Sequence, residues 1–217
     1  MTSGPGKLGL DPEAMSGTNV YKILAGCIVP RPIGFLSTVG PDGVFNAAPF
    51  SFFNGISHSP PMVCASIDKI HASGGTKDTL TNVLYTRDFV VNIVDEDLAT
   101  AQDYCSGTFP PEVDEIAAAG LTAAPSRLVR SPRVEESPVN FECRLLHSIP
   151  LPESPYTLVI GRIVYMHVRT DLLLPNGRID PIRLRAVGRM TGNSYVTTRE
   201  LFTLKHDTFE VLPAAPK

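Results

Sequence analysis

The sequence has no excess of positive charge: 19 lysines and arginines against 22 aspartates and glutamates give a formal net charge of −3. Nucleic acid and anionic lipid need clustered cations, so neither nucleic acid nor a membrane is expected among the partners. No window approaches the roughly 20 apolar residues of a membrane-spanning helix, and residues 1–15 hold no apolar core of secretion-signal length. Only four cysteines occur, Cys27, Cys64, Cys105 and Cys143, and none approaches CxxC spacing. Zinc and dithiol arrangements are therefore not indicated, and no metal is assigned. Cys64 and Cys143 sit in apolar runs, so the thiols are read as reduced and the expected location is the cytoplasm. Neither a GxxxxGK[ST] loop nor a GxGxxG fingerprint is present, so hydrolysis on a Walker loop is not indicated. Repeats and low-complexity tracts are also missing.

A chain of 217 residues, 43% hydrophobic and 19% charged, can bury one sizeable core. The expected organisation is a loose N-terminal arm (1–19), a single domain (20–205) and a C-terminal tail (206–217). Strand-like runs cover Ile33–Val39, Val44–Ala48, Met62–Ile67, Phe89–Val94, Val139–His147 and Thr157–Val168. Helices are expected at Thr79–Tyr85, Glu96–Tyr104 and Glu112–Ala119, the last stopped by Gly120. Strands at this spacing with few βαβ units predict a mainly β fold, an antiparallel barrel with peripheral helices. The proline-bearing stretches Pro125–Pro138 and Pro150–Pro155 read as surface crossings.

Three constellations carry chemistry. Arg31–Val39, the turn Gly40-Pro41-Asp42-Gly43 and Val44–Ser51 form a hairpin whose second arm ends in small and hydroxyl side chains. Pro49 places that arm's end, or a sheet edge, beside it. Arg31, Ser37, Thr38, Asn46 and Ser51 exceed the polar content a bland hairpin needs, which suggests a polar, partly planar ligand. The second constellation is Ser73–Leu84: Gly74 and Gly75 loosen the backbone, Asp78 or Thr79 would cap a helix, and Lys77 sets a cation at its start. That combination suits a phosphate monoester. The third, Pro181–Tyr195, mixes Arg183, Arg185 and Arg189 with glycines and Tyr195, and a solvated loop explains each arginine as well as a cleft does. His147 and His167 read as structural, whereas His58 and His71 fall in loops flanking the proposed site.

The blocks RPIGFLSTVGPDGVFNAAPFSFF, PPMVCASI, TKDTLTN, DFVVNIV, GRIVYMHV and RLRAVGRMTGNSY, taken in order over about residues 20–196, resemble the flavin reductase-like, FMN-binding split-barrel family. The resemblance implies a six-stranded antiparallel Greek-key split barrel that dimerises and binds FMN near the subunit interface. It also implies that Ser37, Thr38 and Ala48, Pro49, Phe50 and Ser51 line the ring and ribityl chain. Ser66, Lys77, Asp78, Thr79 and Asn82 would hold the phosphate end, and Arg31 opens the motif. The expected activity is NADH- or NADPH-dependent flavin reduction, with electrons passed to a second flavin, an oxygenase partner or another acceptor. Such hydride chemistry needs no protein acid or base. A non-enzymatic FMN electron carrier is the rival reading, and an FMN oxidase of a small organic substrate is the third.

Overall fold

The computed structural model describes residues 6–68 and 76–204. His71, Ser73, Gly74 and Gly75, with the 206–217 tail, lie outside the described residues. In chain order the elements are α1 (Gly17–Cys27), β1 (Gly34–Val39), β2 (Phe45–Phe50), β3 (Phe53–His58), β4 (Pro61–Asp68), α2 (Asp78–Thr86) and β5 (Asp88–Ile93). There follow α3 (Ala99–Tyr104), α4 (Glu115–Ala118), β6 (Ala123–Ala124), β7 (Arg133–Val134), β8 (Val139–Pro150), β9 (Tyr156–Val168), α5 (Pro181–Leu184), β10 (Val187–Arg189) and β11 (Tyr195–Thr197). No helix among the described residues is long and apolar enough to cross a membrane.

Seven strands form one antiparallel sheet in the order β2-β1-β5-β8-β9-β4-β3. Its two ends, β2 and β3, are consecutive in the chain and separated only by Ser51 and Phe52. One bent strand thus pairs with β1 through its first arm and with β4 through its second, and the sheet closes on itself as a barrel. The Ser66 amide donates to the Phe52 carbonyl at 2.8 Å, sealing the corner. The expected hairpin is present, with Val39 opposite Phe45 and Gly43 at φ 81 in the turn. β3 escapes the sequence pattern because Asn54, Gly55 and Ile56 are exposed and carry no apolar alternation.

Strand alternation divides the apolar side chains into two cores. Leu36, Phe50, Phe53, Ile67, Phe89 and Val159 fill the barrel, and Leu80 and Val83 of α2 plug one end. On the outer face, Phe35, Ala47 and Val94 pack under Leu98, Cys105 and Ile116 of the α3–α4 segment and Val187 of β10. Gly161 lies against the Phe89 ring, where a methyl group would collide with it. The helices α3 and α4 are shorter than expected: the Asp95 carboxylate turns the residues before α3 by accepting from the Leu98 amide at 3.0 Å, and Asp114 caps the start of α4 by accepting from the Ala117 amide at 3.0 Å. All four cysteines are free.

The 125–138 crossing is more deeply seated than a surface connection. Its backbone is held by two strand carboxylates that accept its amides, Asp88 from Arg130 at 3.0 Å and Ser131 at 3.1 Å, and Glu142 from Arg127 at 2.7 Å and Leu128 at 2.6 Å. His167 also meets Glu142 at 2.6 Å. Burial pushes the Glu142 carboxyl up, but these contacts outweigh it and hold it below its ordinary range.

Candidate functional site in the groove beside β2

β2 has a free outer edge because it stands at one end of the sheet order. Ala47 turns its amide to that edge, donating to Glu115 at 2.7 Å. Pro49, two residues on, shares that direction, so its missing N–H removes no bond to β1. Along this edge runs a groove of three adjoining recesses. The largest, about 220 Å³, lies between the bent strand and the aromatic side chains Tyr21, Phe52 and Tyr156, with Ser66, Asp68 and Lys77 as its polar wall. A second, about 160 Å³, shares Tyr21, Pro49 and Ser51 and ends at Gln102, Arg189 and Tyr195. The third, about 60 Å³, shares Pro49 and Lys77 with the first and has Ala48, Asp78, Thr79 and Glu115 around it.

The polar wall follows from local structure. β4 alternates buried Val63, Ala65 and Ile67 with half-buried Cys64, Ser66 and Asp68, so Ser66 faces out of the barrel into the groove. Lys77 stands at the cap position of α2, its ammonium 5.9 Å from the centre of the Phe50 ring. Neither Asp78 nor Thr79 caps the helix as expected; no side chain does. Thr79 instead donates its hydroxyl to Asn46 Oδ1 at 2.8 Å. The rings of Tyr21 and Phe52, and of Phe52 and Tyr156, lie 6.3 and 6.0 Å apart in tilted pairs, forming a continuous aromatic wall.

Below the groove lies a buried polar network. Thr38 donates to Asn46 Oδ1 at 3.0 Å and accepts from Asn82 Nδ2 at 3.1 Å. Asn46 Nδ2 donates to Glu115 Oε2 at 2.6 Å. Burial pushes the Glu115 carboxyl up to about 7, against the hydrogen bonds from Ala47 and Asn46 and the nearby Lys77, with Asp78 adding to the rise. Cys105 beside it is no thiolate: burial, then Glu115, push its thiol up to about 12.

The structure brings Ala48, Pro49, Phe50, Ser51, Ser66, Lys77, Asp78 and Thr79 to the groove. It does not bring Ser37 or the side chain of Thr38 there. Ser37 is fully buried, donating to the Pro132 carbonyl at 2.5 Å and accepting from Asn92 Nδ2 at 2.9 Å, which ties β1 and β5 to the 125–138 crossing. Thr38 is committed to Asn82, on the buried side of α2. Arg31 is also withdrawn, 4% exposed, with its guanidinium donating to the carbonyls of Ala25, of Ile28 at 3.2 Å and of Met190 at 2.8 Å, and to Ser51 Oγ at 3.3 Å. It ties the end of α1, the bend after β2 and the segment after β10 together. His58 ends an exposed hairpin arm.

Of the three late arginines, only Arg189 reaches the groove. Arg183 and Arg185 pair with Asp180 and with Glu96 and Asp97 on the surface. Arg189 lies 4.6 Å from the Tyr195 ring centre and meets the Tyr195 hydroxyl, which donates to Asp103 at 2.6 Å and accepts from Gln102 at 3.0 Å. Sequence reading missed Tyr21, Phe52, Tyr156, Gln102 and Glu115; no spacing marks them, since Phe52 sits in the bend just past β2 and distant elements bring the other four to it.

The profile of the flavin reductase like domain matches residues 25–183. The chain belongs to this flavin reductase-like family. It is similar in structure to nitrilotriacetate monooxygenase component B from Bacillus cereus, at 35% identity and TM-score 0.86, over 92% of this chain and all of that one. The 2-nitrobenzoate 2-nitroreductase NbaA of Pseudomonas fluorescens aligns at 30% identity and TM-score 0.85, over 96% and 100% of the two chains. A protein from Shewanella frigidimarina with a split barrel domain aligns at 20% identity and TM-score 0.80, over 93% of this chain and 100% of that one, and shares the fold. The closed antiparallel sheet is thus the split barrel of the flavin reductase-like proteins.

In this flavin reductase-like chain Arg31 is a structural tie. Replacing it with Met strands three carbonyls and should cost about 2–4 kcal/mol in the ligand-free protein, read by urea unfolding. Unchanged stability would contradict the structural role of Arg31.

Proposed function

We propose that the groove binds FMN and that the protein is an NAD(P)H-dependent flavin reductase. The observation carrying this reading is the joining, in one groove, of a cationic hydroxyl-bearing end at Lys77 and Ser66 to a channel bordered by Ala48–Ser51 and an aromatic wall. The donor set fits: a lysine and the Ser66 hydroxyl suit a phosphate, and small residues leave room for a planar ring. Bound FMN supplies hydride acceptance and release. The protein binds and orients: Lys77 and Ser66 hold the phosphate, Pro49 and Ser51 border the ring, and Tyr21 and Tyr156 exclude water.

The edge of β2 has few amides to offer the polar rim of the ring: Ala47's is taken by Glu115 and Pro49 has none. Side chains, Ser51 and Arg189 foremost, are therefore assigned that task. The similarity to a monooxygenase component B favours an oxygenase partner as electron acceptor. A homodimer fits the exposed apolar side chains Tyr21 and Leu24 of α1 and Ile28 just past its end, with Tyr21 bordering the groove.

Anaerobic mixing of the FMN-loaded protein with NADH, and separately with NADPH, should bleach the flavin absorbance at a catalytic rate with at least one of them. Bound FMN that neither nucleotide bleaches would leave the electron carrier instead. Lys77→Ala should weaken FMN binding by about 1.5–3 kcal/mol, measured by flavin fluorescence titration, if it makes a charge-assisted bond to the phosphate. Equal affinity would make Lys77 a solvated surface residue.

A further inference from the structure

Glu115 has no role in the reading above, yet it is the buried carboxylate closest to the chemistry proposed for the groove. It is only 7% exposed, and its Oε2 is gripped by Asn46 Nδ2 at 2.6 Å and the Ala47 amide at 2.7 Å. Those two residues belong to β2, the strand that edges the groove. The same carboxyl borders the recess that Lys77, Asp78 and Thr79 share with Ala48 and Pro49. It borders, from its other side, a recess of about 180 Å³ under the β1–β2 turn, where Asp42 and Asp78 are the other acids.

The charges facing Glu115 come from every element around it. Lys77 precedes α2 and Asp78 opens it; the Cys105 thiol, which donates to the Glu115 carbonyl at 3.6 Å, follows α3 and is neutral; Asp42 comes from the hairpin turn; Asn46 of β2 is uncharged. Among the described residues, Lys77 is thus the one cation beside the three carboxylates Asp42, Asp78 and Glu115, and Asp68 shares the adjoining recess with it. A phosphate dianion arriving at Lys77 would add two negative charges beside that cluster, and the repulsion is least screened at Glu115, the one carboxyl of the three that is buried. Asp42, Asp68 and Asp78 are more open to solvent than Glu115, whose burial already favours its neutral form. The acid that can yield its charge is Glu115.

We propose that Glu115 is a proton-linked positioning residue for the flavin phosphate: FMN binds together with a proton that Glu115 takes from solvent, while the carboxyl keeps its grip on Asn46 and Ala47. Protonation places the O–H on Oε1, so Oε2 still accepts both donors and the edge of β2 keeps its shape. No bond other than O–H forms. This inference rests on the FMN reading and specifies how its phosphate end is charged.

The linkage has a definite sign. With the carboxyl near 7 before binding and higher after, FMN affinity is greatest below that value and falls as pH rises through it. Each unit by which binding raises the acid corresponds to about a tenfold loss of affinity at the alkaline limit. The window from pH 7 to 9 lies above the second phosphate ionisation, about 6, so the ligand itself stays a dianion.

The test is proton uptake on mixing the ligand-free protein with FMN in weak buffer near pH 7.5, followed by an indicator dye, with FMN dissociation constants between pH 7 and 9. The wild type should take up a substantial fraction of a proton per FMN bound and lose about tenfold or more in affinity across that window. Glu115→Gln keeps the acceptor for Asn46 and Ala47; it should take up none and bind FMN with a flat profile. Riboflavin, which lacks the phosphate, should bind without uptake in either protein. Wild-type protein that binds FMN without proton uptake overturns the proposal whatever the variant does. Equal uptake in wild type and Glu115→Gln also overturns it. Failure of the wild type to bind FMN at any pH would overturn the flavin reading itself, a separate result.

Discussion

The bend at Ser51–Phe52 is the constraint on which the rest of the molecule depends. It converts one strand into two arms that pair with β1 and β4, at opposite ends of the sheet order, so the barrel closes without a further connection. The same bend leaves the outer edge of β2 unpaired and open, and the groove follows that edge. Arg31 grips the corner through Ser51 while holding α1 and the segment after β10. The residues that close the fold therefore also set the borders of the site.

An unpaired strand edge is ordinarily a liability, because its exposed amides and carbonyls invite further pairing. Here Pro49 removes one donor and Glu115 occupies another. The edge is blunted without being covered by a strand, which leaves space beside it. The buried network of Thr38, Asn46, Thr79, Asn82 and Glu115 then fixes β2 against α2 and α4 from beneath. Each member finds a partner, and among the described residues no buried side-chain polar atom is left without one. A satisfied network of this kind rigidifies its surroundings.

Much of this was legible in the sequence, and what was not has physical reasons. β1, β2, β4, β5, β8 and β9 announce themselves by apolar and β-branched runs, and the Gly-Pro-Asp-Gly turn fixes the first hairpin. β3 does not, since an exposed edge arm with Asn54 and Gly55 has no pattern to show. In the site, the small residues of Ala48–Ser51 and the lysine at the start of α2 point to the groove. Ser37 and Thr38 misled because all six residues of β1 are buried, so alternation says nothing of which hydroxyl meets a ligand and which meets protein. Glu115 and Arg189 gain their significance only from elements distant in the chain. Composition could not reveal that one is buried under β2 or that the other lies against Tyr195.

The central claim is that the groove beside β2 is a flavin site with its anionic end at Lys77. A crystal structure of the protein soaked with FMN tests it most directly. The account predicts ring density bordered by Pro49 and Ser51, with the phosphate in hydrogen-bonding contact with Lys77 and Ser66. FMN bound elsewhere, or in the groove with its phosphate turned toward Arg189, would contradict it.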